Sequence, residues 1–124
     1  METNFKESNF KMTPPIKDYL EKKIIMLDKF IDPNDDSARL DAEIGKSVGG
    51  QHSGEIFRTE FNLHVGGDFY RAEAEAIDSY ASIDEAIDDL FRQVRKDRKK
   101  RFDLLKRGGR KVKRMLRRGF GRGE

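Results

Sequence analysis

Residues 55–77, EIFRTEFNLHVGGDFYRAEAEAI, alternate apolar and polar side chains on both sides of a Gly-Gly pair. A period of two is the period of a strand; a helix would repeat its apolar residues every three or four positions. Phe57, Phe61, Leu63 and Val65 fall on one side, and Arg58, Glu60, Asn62 and His64 on the other. Glycine tolerates positive φ, so Gly66-Gly67-Asp68 predicts a tight hairpin turn. The returning strand, 69–77, places Ala72, Ala74 and Ala76 on a single side. Such small side chains let a helix lie close to the sheet.

The other elements follow from the same test. ARLDAEIGK (38–46) alternates with Leu40, Ala42 and Ile44 on one face and predicts a third strand of this kind. SVGGQHSG (47–54) predicts a flexible loop, and Thr3-Asn4-Phe5 a short first strand. Between them, residues 13–31 predict a helix with Thr13 as N-cap and two prolines in its first turn. Its apolar stripe is Ile16, Leu20, Ile24, Leu27 and Ile31, and DPNDDS (32–37) stops it. A second helix is expected to start at an Asp78 cap, with Tyr80, Ile83, Ile87, Leu90, Phe91 and Val94 as its apolar arc. That pattern extends toward Leu105, and RGG (107–109) is expected to break it. The predicted order is β-α-β-β-β-α. It implies an α+β two-layer sandwich, a four-stranded sheet with both helices on one face. The open face would carry Arg58, Glu60, Arg71, Glu73 and Glu75, a mixture of signs unsuited to phosphate.

The 124 residues allow one domain, expected over 1–106, with 107–124 as a basic Gly/Arg-rich tail, disordered when free. Charge divides the chain sharply. Residues 1–91 hold 10 Lys/Arg against 20 Asp/Glu, and residues 92–124 hold 16 against 3. RQVRKDRKKR (92–101) has seven basic residues in ten, directly behind the acidic and apolar SIDEAIDDLF. Arg92, Arg95, Lys96 and Lys99 are spaced i, i+3, i+4, i+7 and form one helical stripe beside the apolar arc. Acids early and bases late also complement a helix dipole, but that effect fades within the last turn. Bases spread over three turns exceed it, and a polyanion partner accounts for them. On the first helix, Lys22 and Lys29 lie on one flank with Met26 between them, whereas Lys23 falls inside the apolar arc and must snorkel outward. The alternative for this helix is a solvated face balanced by Glu21 and Asp28.

The tail supplies Arg110, Lys111, Lys113, Arg114, Arg117, Arg118 and Arg122, with glycines and Phe120 interleaved. Arginine-glycine segments bind RNA by charge and stacking with little sequence preference. Met115, Leu116 and Phe120 suit an anionic membrane surface instead, but Gly119, Gly121 and Gly123 oppose a stable amphipathic helix there.

Several function classes find no support. Cysteine is absent, which excludes a disulfide scaffold and a thiolate metal site. His52 and His64 fall on a loop and on the open strand face and lack a third ligand for zinc. Asp84, Asp88 and Asp89 read as a solvated helix surface. No phosphate-cradling Gly-rich loop ending in Lys-Ser/Thr occurs, and no signal peptide or membrane-spanning run is visible. The expectation is a cytoplasmic protein without enzymatic activity, cofactor, metal or small-molecule substrate.

TPPIKDYLEKKIIMLDKF and AEAIDSYASIDEAIDDLFRQVRK resemble the ribosome hibernation-promoting factors, also called ribosome-associated inhibitor A or the sigma-54 modulation protein family. The resemblance covers roughly residues 1–105; in its second segment Asp78, Tyr80, Ala81, Ile83, Asp84, Ile87, Leu90, Arg92, Gln93 and Lys96 match the family pattern. The Gly-Gly hairpin before an alanine-rich strand matches too. The resemblance implies a fold like the double-stranded-RNA-binding domain. It also implies binding in the messenger channel and transfer-RNA sites of the small ribosomal subunit, through 16S rRNA, so that idle ribosomes are inhibited and preserved. Carried over, the RNA-binding residues are Lys23 and Lys29, Lys46 at the end of the second strand, and Arg92, Lys96 and Lys99; Lys22 and Arg95 join by helix geometry. Met26 and Asp89 stand where many members carry Lys, which removes positive charge from the expected face. The chain resembles the short form, without the C-terminal domain through which long members pair ribosomes, and is expected to be monomeric off the ribosome. Two other readings stay open: a general RNA-binding module or chaperone driven by the tail, and a protein-interaction role suggested by the acidic first 91 residues.

Overall fold

The computed structural model describes residues 1–48 and 54–117, with side chains described for 1–47 and 54–108. Strand β1 (Glu2–Ser8) is followed by helix α1 (Pro14–Ile25), a 3-10 turn (Met26–Phe30), strands β2 (Arg39–Val48), β3 (Glu55–Val65) and β4 (Asp68–Ala76), and helix α2 (Ser79–Arg117). The strands form one sheet in the order β1-β2-β3-β4, with β1 parallel to β2 and the rest antiparallel. Parallel neighbours need a crossover, and α1 supplies it. This is the expected β-α-β-β-β-α order. Two compact units divide the chain, Met1–Gln93 and Val94–Glu124.

In the first unit the alternation becomes a buried face. Leu40, Ala42 and Ile44 of β2, Thr59, Phe61 and Leu63 of β3, and Ala72 of β4 are all buried. Phe61 sits opposite Ala72, and Thr59 opposite Ala74. This large-against-small pairing leaves room above β4 for α2, which contributes Ile83, Ala86, Ile87, Leu90 and Phe91 to the core. The contact is polar at one buried point. Thr59 Oγ1 and Ser82 Oγ lie 2.8 Å apart, and Ser82 donates its proton to the Ser79 carbonyl. Thr59 is therefore the donor to Ser82, and both hydroxyls are satisfied.

Helix α1 starts as the sequence implies. Thr13 Oγ1 accepts from the Ile16 N–H at 3.4 Å, with Pro at the first two helical positions. Ile16, Leu20, Ile24 and Leu27 are buried. The α-helix ends at Ile25 rather than running to Ile31, and its last turn tightens to 3-10. Ile25 and Met26 are 64% and 47% exposed, so that turn has little packing to hold α geometry. The two helices lie side by side and run the same way. Tyr19 meets Tyr80, Lys23 meets Asp84 and Phe30 meets Phe91, each pair separated by the same 61 positions.

Three further boundaries differ from the sequence reading. β1 is longer than Thr3–Phe5, because its whole length pairs with Arg39–Gly45 of β2 although its own side chains alternate weakly. Ser47 and Val48, expected in a loop, extend β2 against Ile56 and Glu55; residues 49–53, including His52, lie outside the described residues. α2 does not stop at RGG but runs on to Arg117. Each mid-helix glycine costs about 1 kcal/mol relative to alanine. A helix already nucleated by a packed stretch propagates across such a cost when its neighbours are Lys, Arg and Leu.

The hairpin turn is as expected: Gly66 and Gly67 have φ of 53° and 85°, and Val65 pairs with Asp68. Asp35 ties this turn to the loop before β2. Its carboxylate accepts from the Gly66 N–H at 2.8 Å and from the Ser37 N–H and hydroxyl.

Phe61 is fully buried between sheet and helices, so Phe61→Ala is expected to lower unfolding free energy by about 3–5 kcal/mol, measurable as a shifted urea midpoint with an unchanged slope.

Candidate nucleic-acid interface

At the centre of the sheet's open face, Arg58 and Arg71 are matched by glutamates. Arg58 donates to Glu73 at 2.6 Å and meets Glu60 at 3.4 Å, while Arg71 meets Glu73 at 3.1 Å and Glu60 at 3.3 Å. Two guanidinium groups and two carboxylates close into a neutral quartet. The hydrogen bond from Arg58 is the main cause of a Glu73 carboxyl held below the usual glutamate range, and Glu73 in turn raises Arg58. His64 does not gather ligands; its ring packs against Phe69 at 4.8 Å. Among the described residues no group of three His, Asp or Glu side chains could hold a metal ion.

The cations proposed from sequence sort into two sets. Lys22, Lys23, Lys29, Lys46 and Arg92 belong to the first unit, and Arg95, Lys96 and Lys99 to the second. In the first unit, α1 and α2 bring Lys22, Lys23 and Arg92 to adjoining helices, the 3-10 turn after α1 carries Lys29, and β2 carries Lys46 on the helix-bearing side by alternation. Most of these charges are already matched. Lys22 meets Asp18 at 3.1 Å, Lys23 meets Asp84 at 3.6 Å, Lys46 meets Glu55 at 2.7 Å and Arg92 meets Asp89 at 3.6 Å. The Lys29 ammonium lies 5.3 Å from the centre of the Phe30 ring. Asp89, standing where the sequence reading noted lost positive charge, thus also neutralises its neighbour; it accepts from Gln93 as well, at 3.0 Å.

The second unit differs. Arg95, Lys96 and Lys99 are exposed, and none has an ion-pair or hydrogen-bond partner among the described residues. By composition the first unit holds 11 Lys/Arg against 20 Asp/Glu, and the second 15 against 3. Burial along α2 ends at Val94; Phe102, Leu104 and Leu105 are 58%, 54% and 73% exposed, so the apolar arc does not stay buried as far as Leu105. Arg110, Lys111, Lys113, Arg114 and Arg117 lie on helical backbone, while Arg118 and Arg122 fall outside the described residues.

Sequence reasoning missed the carboxylates that answer these cations. The Asp18–Lys22 and Asp89–Arg92 pairs were legible as i,i+4 and i,i+3 spacings. The cluster at the α1–α2 seam was not. Tyr19 donates its hydroxyl to Asp84 Oδ1 at 2.5 Å, its ring meets Tyr80 edge-on at 5.0 Å, and Lys23 Nζ lies 5.3 Å from its centre.

Fold and charge define a class: a small α+β domain whose last helix continues into a strongly cationic extension. The chain belongs to the Sigma 54 modulation protein / S30EA ribosomal protein family, whose pattern it matches over residues 3–101. It is 33% identical to a ribosome hibernation promoting factor of Klebsiella oxytoca, over 81% of this chain and 96% of that protein. It is 36% identical to the ribosome hibernation promotion factor of Deinococcus radiodurans, over 71% of this chain but 44% of that one. Against the Bacillus subtilis factor of the same name, too, the match spans only 50% of the relative's length. Among solved structures, the N-terminal domain of Thermus thermophilus Protein Y matches with a TM-score of 0.58 and 32% identity, covering 77% of this chain and 98% of that one. A ribosomal subunit interface protein of Coxiella burnetii shares the fold, with a TM-score of 0.61 at 19% identity over 79% of this chain and 98% of that one.

The hydrogen bond to Asp84 is the main reason the Tyr19 phenol is pushed up from 10.0 to about 12. A raised folded-state value means that Tyr19 contributes its full share of stability below pH 10.0 and loses it as pH climbs toward about 12. Ultraviolet titration is expected to show a late phenolate, which Asp84→Asn returns toward 10.0.

Proposed function

We propose that this protein is a ribosome hibernation factor that binds the small ribosomal subunit and inhibits translation by occupying its decoding region through phosphates of 16S rRNA. The observation that carries this reading is the set Arg95, Lys96 and Lys99, exposed and unpartnered among the described residues of a helix whose unit is overwhelmingly basic. The family and the names of its relatives supply the ribosome as the polyanion. In this reading Lys22, Lys23, Lys29, Lys46 and Arg92 add contacts by exchanging internal partners for phosphate. The basic residues from Arg110 to Arg122 extend the path along RNA. The action is stoichiometric, with no bond made or broken.

A second reading, a general RNA-binding module or chaperone, is favoured by the charge of the second unit alone, 15 Lys/Arg against 3 Asp/Glu. Removing residues 107–124 separates the two. The hibernation reading expects saturable small-subunit binding to persist in reduced form; the module reading expects it to vanish while the first unit stays folded.

Co-sedimentation with purified small subunits over a salt series is the direct test. The logarithm of affinity should fall linearly with the logarithm of salt, by roughly 0.7–0.9 per neutralised phosphate. Arg95/Lys96/Lys99→Glu is expected to weaken binding by more than about tenfold and to flatten the slope by roughly two to three units. Equal binding by this variant and the parent would overturn the assignment of the helix stripe.

A further inference from the structure

Of the ion pairs that hold the first unit's candidate cations, Lys23–Asp84 is the one among the described residues that joins two helices; Lys46–Glu55, 29%/55% exposed, joins neighbouring strands. The pairs Lys22–Asp18 and Arg92–Asp89 leave their side chains 73%/63% and 70%/42% exposed, where solvent screens them and little is gained or lost on breaking them. Lys23 and Asp84 are 33% and 42% exposed, lodged where α1 and α2 meet. Release of Lys23 would leave a carboxylate in a half-buried seam, close to Asp88 and Asp78, whose charges also reach Tyr19. An abandoned charge of that kind opposes release.

The geometry removes that obstacle. One oxygen, Asp84 Oδ1, takes both neighbours: the Tyr19 hydroxyl at 2.5 Å and the Lys23 ammonium at 3.6 Å. Charge-assisted N–H···O bonds are about 2.7–2.9 Å and O–H···O bonds about 2.5–2.7 Å. The phenol therefore makes the strong bond and the ammonium the loose one. The Tyr19 ring also packs edge-on against Tyr80, a contact that does not involve Lys23 and favours the orientation in which its hydroxyl reaches Asp84. Meanwhile the Lys23 ammonium lies over the Tyr19 ring, 5.3 Å from its centre, which favours one placement of a long, flexible side chain over many.

We propose that Tyr19, Lys23 and Asp84 form an exchangeable phosphate site, in which Tyr19 is the positioning residue that keeps Asp84 satisfied while Lys23 transfers from the carboxylate to an RNA phosphate. The proposal rests on the RNA-binding reading above and deepens it. It assigns a role to two side chains that touch no phosphate. Without the phenol, Asp84 has Lys23 alone, holds it more closely and faces the incoming phosphate with undiminished charge. Without Asp84 there is nothing for the phenol to hold, and Tyr19 no longer matters to binding.

The test is a double-mutant cycle on the full chain, Tyr19→Phe, Asp84→Asn and the pair. It is read by binding to purified small ribosomal subunits and, in parallel, to an unstructured 20-nucleotide RNA, with urea midpoints confirming that each variant is folded at the assay temperature. Tyr19→Phe is expected to weaken binding roughly three- to tenfold, the scale of one ordinary net hydrogen bond. Asp84→Asn is expected to bind at least as tightly as the parent, and the double variant like Asp84→Asn alone. Lys23→Met is expected to lower the salt slope by roughly 0.7–0.9, the signature of one lost phosphate contact. Either of two results overturns the proposal: Tyr19→Phe binding like the parent, or Tyr19→Phe weakening binding as much in the Asp84→Asn background as outside it, which marks a merely structural tyrosine. Failure of the hibernation reading looks different. In that case the parent binds the RNA without preference for the small subunit, and the cycle is still read on the RNA; a parent that binds neither overturns both.

Discussion

Everything the first unit presents to its surroundings depends on how closely α2 lies on the alanine-lined strand β4. Ala72 is buried opposite Phe61, and Ala74 lies opposite Thr59, whose hydroxyl is bonded to Ser82 of the helix. Larger side chains at these alanines would lift α2 and open the core, because well-packed interiors absorb added volume only with strain. With α2 seated, α1 has a single place beside it, and the constant offset between paired residues shows the two helices in register along their shared length. That register is what brings a tyrosine of one helix to an aspartate of the other.

Electrostatics then sorts surfaces that composition alone would blur. The sheet's open face carries arginines, but its glutamates enclose them in a quartet, so these charges are spent internally. On the helix side the first unit also answers most of its candidate cations with carboxylates of its own. Just beyond it, Arg95, Lys96 and Lys99 are exposed and have no partner among the described residues. A count of charges ranks Lys23 and Lys96 as equals; their surroundings do not, because an exposed lysine with no partner among the described residues can meet an anion without first breaking a pair, while Lys23 must be released from Asp84.

The chain spans nearly all of its Klebsiella relative and about half of its Deinococcus and Bacillus relatives. The family match, residues 3–101, takes in the α+β domain and the head of α2. The continuation of α2 through Gly108 to Arg117 lies beyond the family match, which ends at residue 101. A β-carbon at Gly108 would meet no atom within 4 Å, so no neighbouring atom demands a glycine there, and the helix crosses it on the strength of its flanking residues.

Local periodicity was enough to read strand β3 to the residue, the hairpin turn, the Thr13 cap, the buried faces of β2 and α1, and the cationic stripe, because each depends on neighbours within a few positions. The family pattern added the ribosome as a candidate partner. What the chain alone left open was decided by contacts between distant residues. The extent of β1 follows from its ladder with β2, not from its own alternation. The continuation of α2 past Gly108 is the exception, a local effect in which helix propagation outweighs a glycine penalty. The seam of Tyr19, Lys23 and Asp84 exists only once two helices 61 positions apart are laid side by side on one sheet. A sequence states the charge of Asp84, but which cation it holds, and how loosely, is a matter of tertiary distance.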